Sequence, residues 1–232
     1  MNTEISVEDM SFLQLSDSFF PTGLYTTSNG LEFIFREKKL KSRDILKLIK
    51  VYLKQQVGPA DCVALGNAYD CAERSDLQGL IEVDQTLYSM RLVDEIRNAS
   101  VRSGIQLLRC TRFFVTQNKI LKLFQQSVTN GHASGIYPMS FAVVCKSLNI
   151  PKHKTGLMLL YGFVVSIIGA ALRLGILQHF DGQKIIHELK SFILVSVKEN
   201  IDKPLSSIWQ FAPAIDIIQM KHEQMDSRMF IT

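Results

Sequence analysis

The sequence predicts an all-α fold: a single-domain helical bundle over residues 1–232 with a central, largely apolar buried helix. Three observations support this. Apolar residues recur at helical spacing along most of the chain, no run of β-branched residues alternates as a strand would, and residues 155–172 carry no charge. A composition of 47% hydrophobic and 21% charged residues is typical of a globular domain.

The opening segment, residues 16–32 (SDSFFPTGLYTTSNGLE), is predicted to turn sharply between two helices. Gly23 can adopt a positive φ, which favours a tight turn after the preceding proline. Asn29 and Glu32 have the spacing of a capping box that would begin the next helix. This order places Tyr25 on a short loop rich in aromatic and hydroxyl groups, a composition that suits a protein interface.

Apolar spacing also predicts the helices that follow. One begins at Ser42 and ends at Gly58 and Pro59, because glycine frees the backbone and proline cannot continue a regular helix. The last residues, 221–232, contain few apolar groups to offset the entropy of ordering, so they are predicted to form a flexible tail. The remaining helices are expected over about 60–74, 83–112 and 138–147, from Asp181, and from Pro213 after a connection at 203–212.

The uncharged stretch at 155–172 has two interpretations. Its length is the lower limit for a membrane-spanning helix, so a single-pass membrane protein remains an alternative. A helix that is apolar on all sides also suits the centre of a bundle, which is the interpretation we favour, with no membrane partner. Gly162 and Gly169 lie on one face, where another backbone could approach closely and support a homodimer.

Charge and cysteine usage indicate a cytoplasmic protein without a nucleic-acid partner. Residues 36–54 carry eight Lys or Arg against two acids, but apolar residues at helical spacing leave these cations on a solvated face. The four cysteines form no C-x-x-C pair, which predicts buried free thiols in a reducing compartment. The first ten residues contain acids and no apolar run, so no secretory signal is expected.

Catalytic motifs are lacking in the sequence. No phosphate-binding glycine loop or nucleophile elbow occurs, and the near match to a zinc-protease helix at 187–191 has serine in place of the second histidine. The five histidines are scattered along the chain. These observations predict a protein that works by contact, with no catalytic residue, metal ligand or bound cofactor. An all-α enzyme with an unrecognised site remains a second alternative.

Five stretches together resemble the UreF family of urease accessory proteins, in the same order along the chain. They are LQLSDSFFPTGLYTTSNGLE (13–32), DEIRNASVRSGIQLLR (94–109), IYPMSFAVVCKSLNI (136–150), LLYGFVVSIIGAALRLGILQ (159–178) and AIDIIQMKHEQMDSRMFIT (214–232).

The resemblance implies a cytoplasmic, commonly dimeric all-α scaffold that is not itself an enzyme. It would join UreD (also called UreH) and the GTPase UreG, gate GTP hydrolysis by UreG, and assist nickel insertion into apo-urease. Nickel and GTP would be handled by the partners. Tyr25 and Arg228 match the motif residues of the family that lie where partners dock. Glu32 and Phe230, in the same two motifs, complete the predicted partner-binding set.

Two positions depart from the family pattern. Thr27 and Ile136 stand where members often have histidine. If either histidine touches nickel in the family, this chain cannot use it, so we assign no metal ligand.

Overall fold

The computed structural model describes residues 5–232 and confirms the all-α fold, with no strand in that range. Residues 5–232 form eleven α-helices that pack around one hydrophobic core. They are α1 (Val7–Ser16), α2 (Leu31–Glu37), α3 (Ser42–Tyr52), α4 (Val63–Glu73), α5 (Leu77–Met90), α6 (Asp94–Thr111), α7 (Lys119–Thr129), α8 (Tyr137–Ser147), α9 (Lys152–Arg173), α10 (His179–Asn200) and α11 (Pro213–Glu223).

The predicted helix end at Gly58 and Pro59 is wrong. The chain continues from α3 through a π-helical segment, Leu53–Cys62, directly into α4. Pro59 has no N–H, so the Gln55 carbonyl lacks the donor that a regular helix would supply. The backbone N–H of Phe211 donates to that carbonyl at 3.0 Å, and Trp209 donates to the Pro59 carbonyl at 3.2 Å. The connection between α10 and α11, which contains Trp209 and Phe211, therefore supplies the donors that stabilise the π-helical segment.

The single helix predicted over 83–112 is divided into α5 and α6. At the break, Arg91 turns inward, is almost fully buried and pairs with Asp61 in the π-helical segment. The Arg91 carbonyl accepts a hydrogen bond of 2.7 Å from the side chain of Arg97 in α6. A buried ion pair from a distant element thus overrides a continuous helical pattern, which local spacing cannot reveal.

The central apolar helix is confirmed as α9. In the described part of the chain, α9 is the one helix long and apolar enough to cross a membrane, and 56% of its most apolar window is buried inside the protein. It packs against α8 and α10, while α8 packs against α4 and α6. The shorter α8 is enclosed still more completely, with eight consecutive residues, 138–145, buried.

The predicted solvated face of the basic stretch is also confirmed. On α3, Ile45 and Ile49 are fully buried, whereas Lys47 and Lys50 are exposed. The four cysteines are free thiols; three are buried and Cys110 is half-buried.

Candidate functional site

The opening segment forms a compact turn between α1 and α2. Gly23 has a φ of 83°, as predicted, and leads into a single 3-10 turn at Leu24–Thr26. The Thr27 hydroxyl donates to the Leu24 carbonyl at 2.8 Å and closes this turn. Tyr25 lies on the loop with 63% of its surface exposed, the position expected of a contact residue.

The predicted capping box between Asn29 and Glu32 is wrong. Gly30, with a φ of 85°, occupies the N-cap of α2, so the N-cap residue has no side chain with which to cap the helix. Asn29 itself is left-handed, with a φ of 53°. The Ser28 hydroxyl accepts the Glu32 N–H at 3.3 Å, which leaves the Glu32 carboxylate free to turn towards the C-terminal tail.

The tail, predicted to be flexible over 221–232, is docked onto the opening segment in the structure. α11 extends to Glu223, and the backbone beyond it pairs with the turn. The Ile231 N–H donates to the Thr26 carbonyl at 2.9 Å, and the Ser28 N–H donates to the Thr232 carbonyl at 2.6 Å. The apolar content of the tail is low, as the sequence indicates, but the opening segment supplies hydrogen-bond partners that sequence spacing does not reveal.

Glu32 is the principal acceptor for the tail. Its carboxylate is almost fully buried and accepts the N–H of Met229 at 3.0 Å and of Phe230 at 3.1 Å. Arg36, one turn later on α2, donates to the same carboxylate at 3.1 Å. Burial raises the pKa of Glu32, but the two tail N–H groups and His222 outweigh it and hold that pKa below its ordinary value.

His222 links Glu32 to a second buried carboxylate. The ring is fully buried, with Nδ1 2.8 Å from Glu95 Oε2 and Nε2 3.3 Å from Glu32 Oε2. Arg228 pairs with the other oxygen of Glu95. We call these four side chains, Glu32, Glu95, His222 and Arg228, the tail network. It ties α2, α6, α11 and the tail together through charged hydrogen bonds.

The geometry of the tail network is not that of a metal site. The two carboxylates lie against opposite nitrogens of one imidazole ring, so they cannot bind one ion together with it. Within residues 5–232, no group of three or more His, Cys, Asp or Glu side chains is arranged to hold a metal ion.

Ile136, one of the two positions that depart from the family pattern, has a structural role. Ile136 is fully buried at the N-cap of α8. Its N–H and that of Gly135 donate to the buried Asp84 carboxylate, at 3.2 and 3.0 Å. These bonds position the start of α8 on the core.

A stack of three side chains adjoins the tail network. The Arg173 guanidinium, at the end of α9, lies 3.8 Å from the ring centre of Tyr25 and 4.4 Å from that of Phe230. Phe230 is only 3% exposed. We call Tyr25, Arg173 and Phe230 the arginine stack. Stacking of a guanidinium on aromatic rings orients both the rings and the charge.

The structure thus brings together all four residues that the sequence predicts for partner binding. Tyr25 is exposed and Arg228 is partly exposed, whereas Glu32 and Phe230 lie inside the chain and hold the tail. Sequence reasoning missed three members of the site: Arg173, Glu95 and His222. Only their positions inside stretches that resemble the family could have indicated them, because their partners are distant in sequence.

Fold and site together define an all-helical protein whose opening segment and C-terminal tail form one composite surface. The UreF family model matches residues 41–190. The urease accessory protein UreF of Trichodesmium erythraeum (strain IMS101) is 32% identical over 99% of both chains. UreF of Actinobacillus pleuropneumoniae serotype 5b (strain L20) is 29% identical over 96% of this chain and 98% of that protein. This chain therefore belongs to the UreF family of urease accessory proteins.

Proposed function

We propose that the protein is a non-enzymatic scaffold of urease maturation that joins UreD/UreH and the GTPase UreG during nickel insertion into apo-urease. The observation that carries the proposal is the composite surface. It presents an exposed aromatic ring, Tyr25, on a turn that the tail and Arg173 hold in place. Tyrosine and arginine are favoured anchors of protein interfaces, and a fixed ring loses little entropy on binding.

The chemistry of the complex would belong to the partners. The sequence has no phosphate-binding loop, so GTP would be bound and hydrolysed by UreG, with this chain gating that step by contact. Nickel would be carried by the partner complex, and the protein would act in the cytoplasm. We also propose a homodimer, as the resemblance implies and as the exposed apolar residues of α10, Leu194 and Val195, permit.

Co-expression with UreD/UreH and UreG, followed by size-exclusion chromatography, tests the scaffold directly. We expect the chain to elute with both partners, and to elute alone at the mass of a dimer by light scattering. Purified alone, it should neither turn over GTP nor retain stoichiometric nickel after gel filtration. Failure to elute with either partner contradicts the scaffold, and GTP turnover by the isolated chain contradicts its non-enzymatic character.

A further inference from the structure

A largely apolar groove lies between the opening segment and α9. Its volume is about 460 Å³. Phe19, Phe20 and Tyr25 line it from the opening segment, and Phe141 lines its floor from α8. Phe19 is 91% exposed, so an occupant can reach the groove from solvent.

Two glycines, Gly162 and Gly169, are part of the α9 wall of this groove. A Cβ at Gly162 would meet no heavy atom within 4 Å, and a Cβ at Gly169 would meet only Arg173 Nη2, at 4.0 Å. Within residues 5–232, no backbone outside α9 approaches either glycine, so neither packs against another element of this chain. Each glycine weakens the helix by about 1 kcal/mol relative to alanine. Packing within the chain does not account for them, but they keep the groove open.

Arg173 supplies an independent polar feature beside the two glycines. Its Nε donates to the Gly169 carbonyl at 3.1 Å. Its Nη2 is buried and has no hydrogen-bond acceptor among residues 5–232. An arginine cannot shed its charge, so a buried guanidinium nitrogen without an acceptor is costly. A carboxylate in the groove would satisfy this nitrogen and complement its charge.

We propose that this groove binds a segment of UreD/UreH in which a carboxylate lies next to a large apolar side chain. The carboxylate accepts a hydrogen bond from Arg173 Nη2, and the apolar side chain fills the space over Gly162. Tyr25 then covers the occupant from the opening segment. The identity of the partner rests on the proposed function, whereas the chemistry of the occupant rests on the groove itself.

Binding of UreD/UreH measured by calorimetry at low and high salt tests the docking. Arg173→Met keeps the apolar stem between the two rings and removes the donor. We expect it to weaken binding by about 10- to 100-fold and to remove most of the salt dependence. Gly162→Leu, which fills the groove, should weaken binding to a similar degree. Arg112→Met, at an exposed arginine that forms no ion pair in the described structure, is the matched control.

Circular dichroism of each variant separates a binding defect from a folding defect. If Arg173→Met binds like Arg112→Met, or keeps the salt dependence of the unmodified chain, the groove is not the docking site and the scaffold proposal still stands. If the unmodified chain fails to bind UreD/UreH at all, the proposed function fails instead.

A partner-independent experiment tests the groove in either case. Acetyl-leucyl-glutamyl amide is titrated against the isolated protein while the amide resonances of Gly162 and Gly169 are followed by NMR. We expect saturable shifts with this peptide and none with the glutaminyl analogue. Equal shifts with both peptides, or none with either, overturn the carboxylate assignment. Shifts that follow the concentration of the protein alone would show that a second copy occupies the groove, which also overturns it.

Discussion

Replacing Glu32 by glutamine should release the C-terminal tail. The substitution keeps the shape of the side chain but turns one acceptor oxygen into a donor. The Met229 nitrogen lies 3.0 and 3.1 Å from the two carboxylate oxygens of Glu32, and the Phe230 nitrogen lies 3.1 Å from one of them. Glutamine has one acceptor oxygen where glutamate has two, so it satisfies these two N–H donors less well than glutamate does. It also removes the negative charge next to His222.

The magnitude follows from these lost interactions. One buried donor left unsatisfied costs about 1–3 kcal/mol, and a hydrogen bond to a charged acceptor is worth about 1.5–3 kcal/mol. Relaxation of the tail will recover part of this lost interaction energy, so we expect the free energy of unfolding to fall by about 3 kcal/mol. For a chain of 232 residues this lowers Tm by roughly 6–12 °C.

Urea denaturation followed by circular dichroism measures the loss, and amide hydrogen exchange locates it. Glu37→Gln is the matched control, because Glu37 lies on the same helix and is exposed. Protection of the Met229 and Phe230 amides should fall sharply in Glu32→Gln and persist in the control. If the two variants unfold alike, or if the tail amides are unprotected in the unmodified protein, the inferred role of Glu32 is wrong.

The pH dependence of the same comparison has a definite sign. The pKa of Glu32 in the folded protein lies below its ordinary value of 4.5. Its stabilising effect is therefore present above about pH 4.5 and is lost as the pH falls through the lower, folded-state value. The difference in unfolding free energy between the unmodified protein and Glu32→Gln should shrink in that acidic range. A difference that stays constant there would show that the charge of Glu32 does not hold the tail.

Two further predictions concern packing and thiol reactivity. Gly104→Ala should lower the free energy of unfolding by more than about 2 kcal/mol, because its Cβ would lie 2.0 Å from the Gly135 carbonyl oxygen. Gly162→Ala should instead raise the free energy of unfolding by about 0.5–1 kcal/mol. If urea denaturation gave the same change for both variants, the contrast between a crowded Gly104 and an open Gly162 would be refuted. Titration of the native protein with a thiol reagent at neutral pH should modify Cys110 first, because burial raises the pKa of the Cys62 thiol to about 12 and encloses the other two cysteines. Rapid reaction of all four thiols without unfolding would contradict the buried core.

The sequence predicts the helices whose boundaries depend on local chemistry. Pro213 in the first turn of α11 and the apolar content of α9 are local features, and the structure has both helices where these features predict them. The π-helical segment could not be predicted, because the donors that support its carbonyls come from residues about 150 positions later. The break between α5 and α6 has the same kind of cause, the buried pair of Asp61 and Arg91.

Only those parts of the candidate site that depend on local sequence could be predicted. The turn at Gly23 and the exposure of Tyr25 follow from local sequence. The role of Glu32 does not follow from local sequence. Its spacing from Asn29 indicates a helix cap, whereas its carboxylate accepts hydrogen bonds from backbone N–H groups near the other end of the chain. His222 had no recognisable motif, and only the folded structure places it between two carboxylates.

The most direct test of the composite surface is the affinity of Tyr25→Ala for UreD/UreH, measured by calorimetry. The ring is 63% exposed and its loss leaves the tail network intact, so the helical content of the free protein should be unchanged. Phe113→Ala, at a 90% exposed aromatic residue in the turn that follows α6, is the matched control. We predict that Tyr25→Ala weakens binding by about 1–3 kcal/mol, the effect of an interface anchor, and that Phe113→Ala does not. Equal affinity of the two variants and the unmodified protein would contradict the proposed scaffold surface.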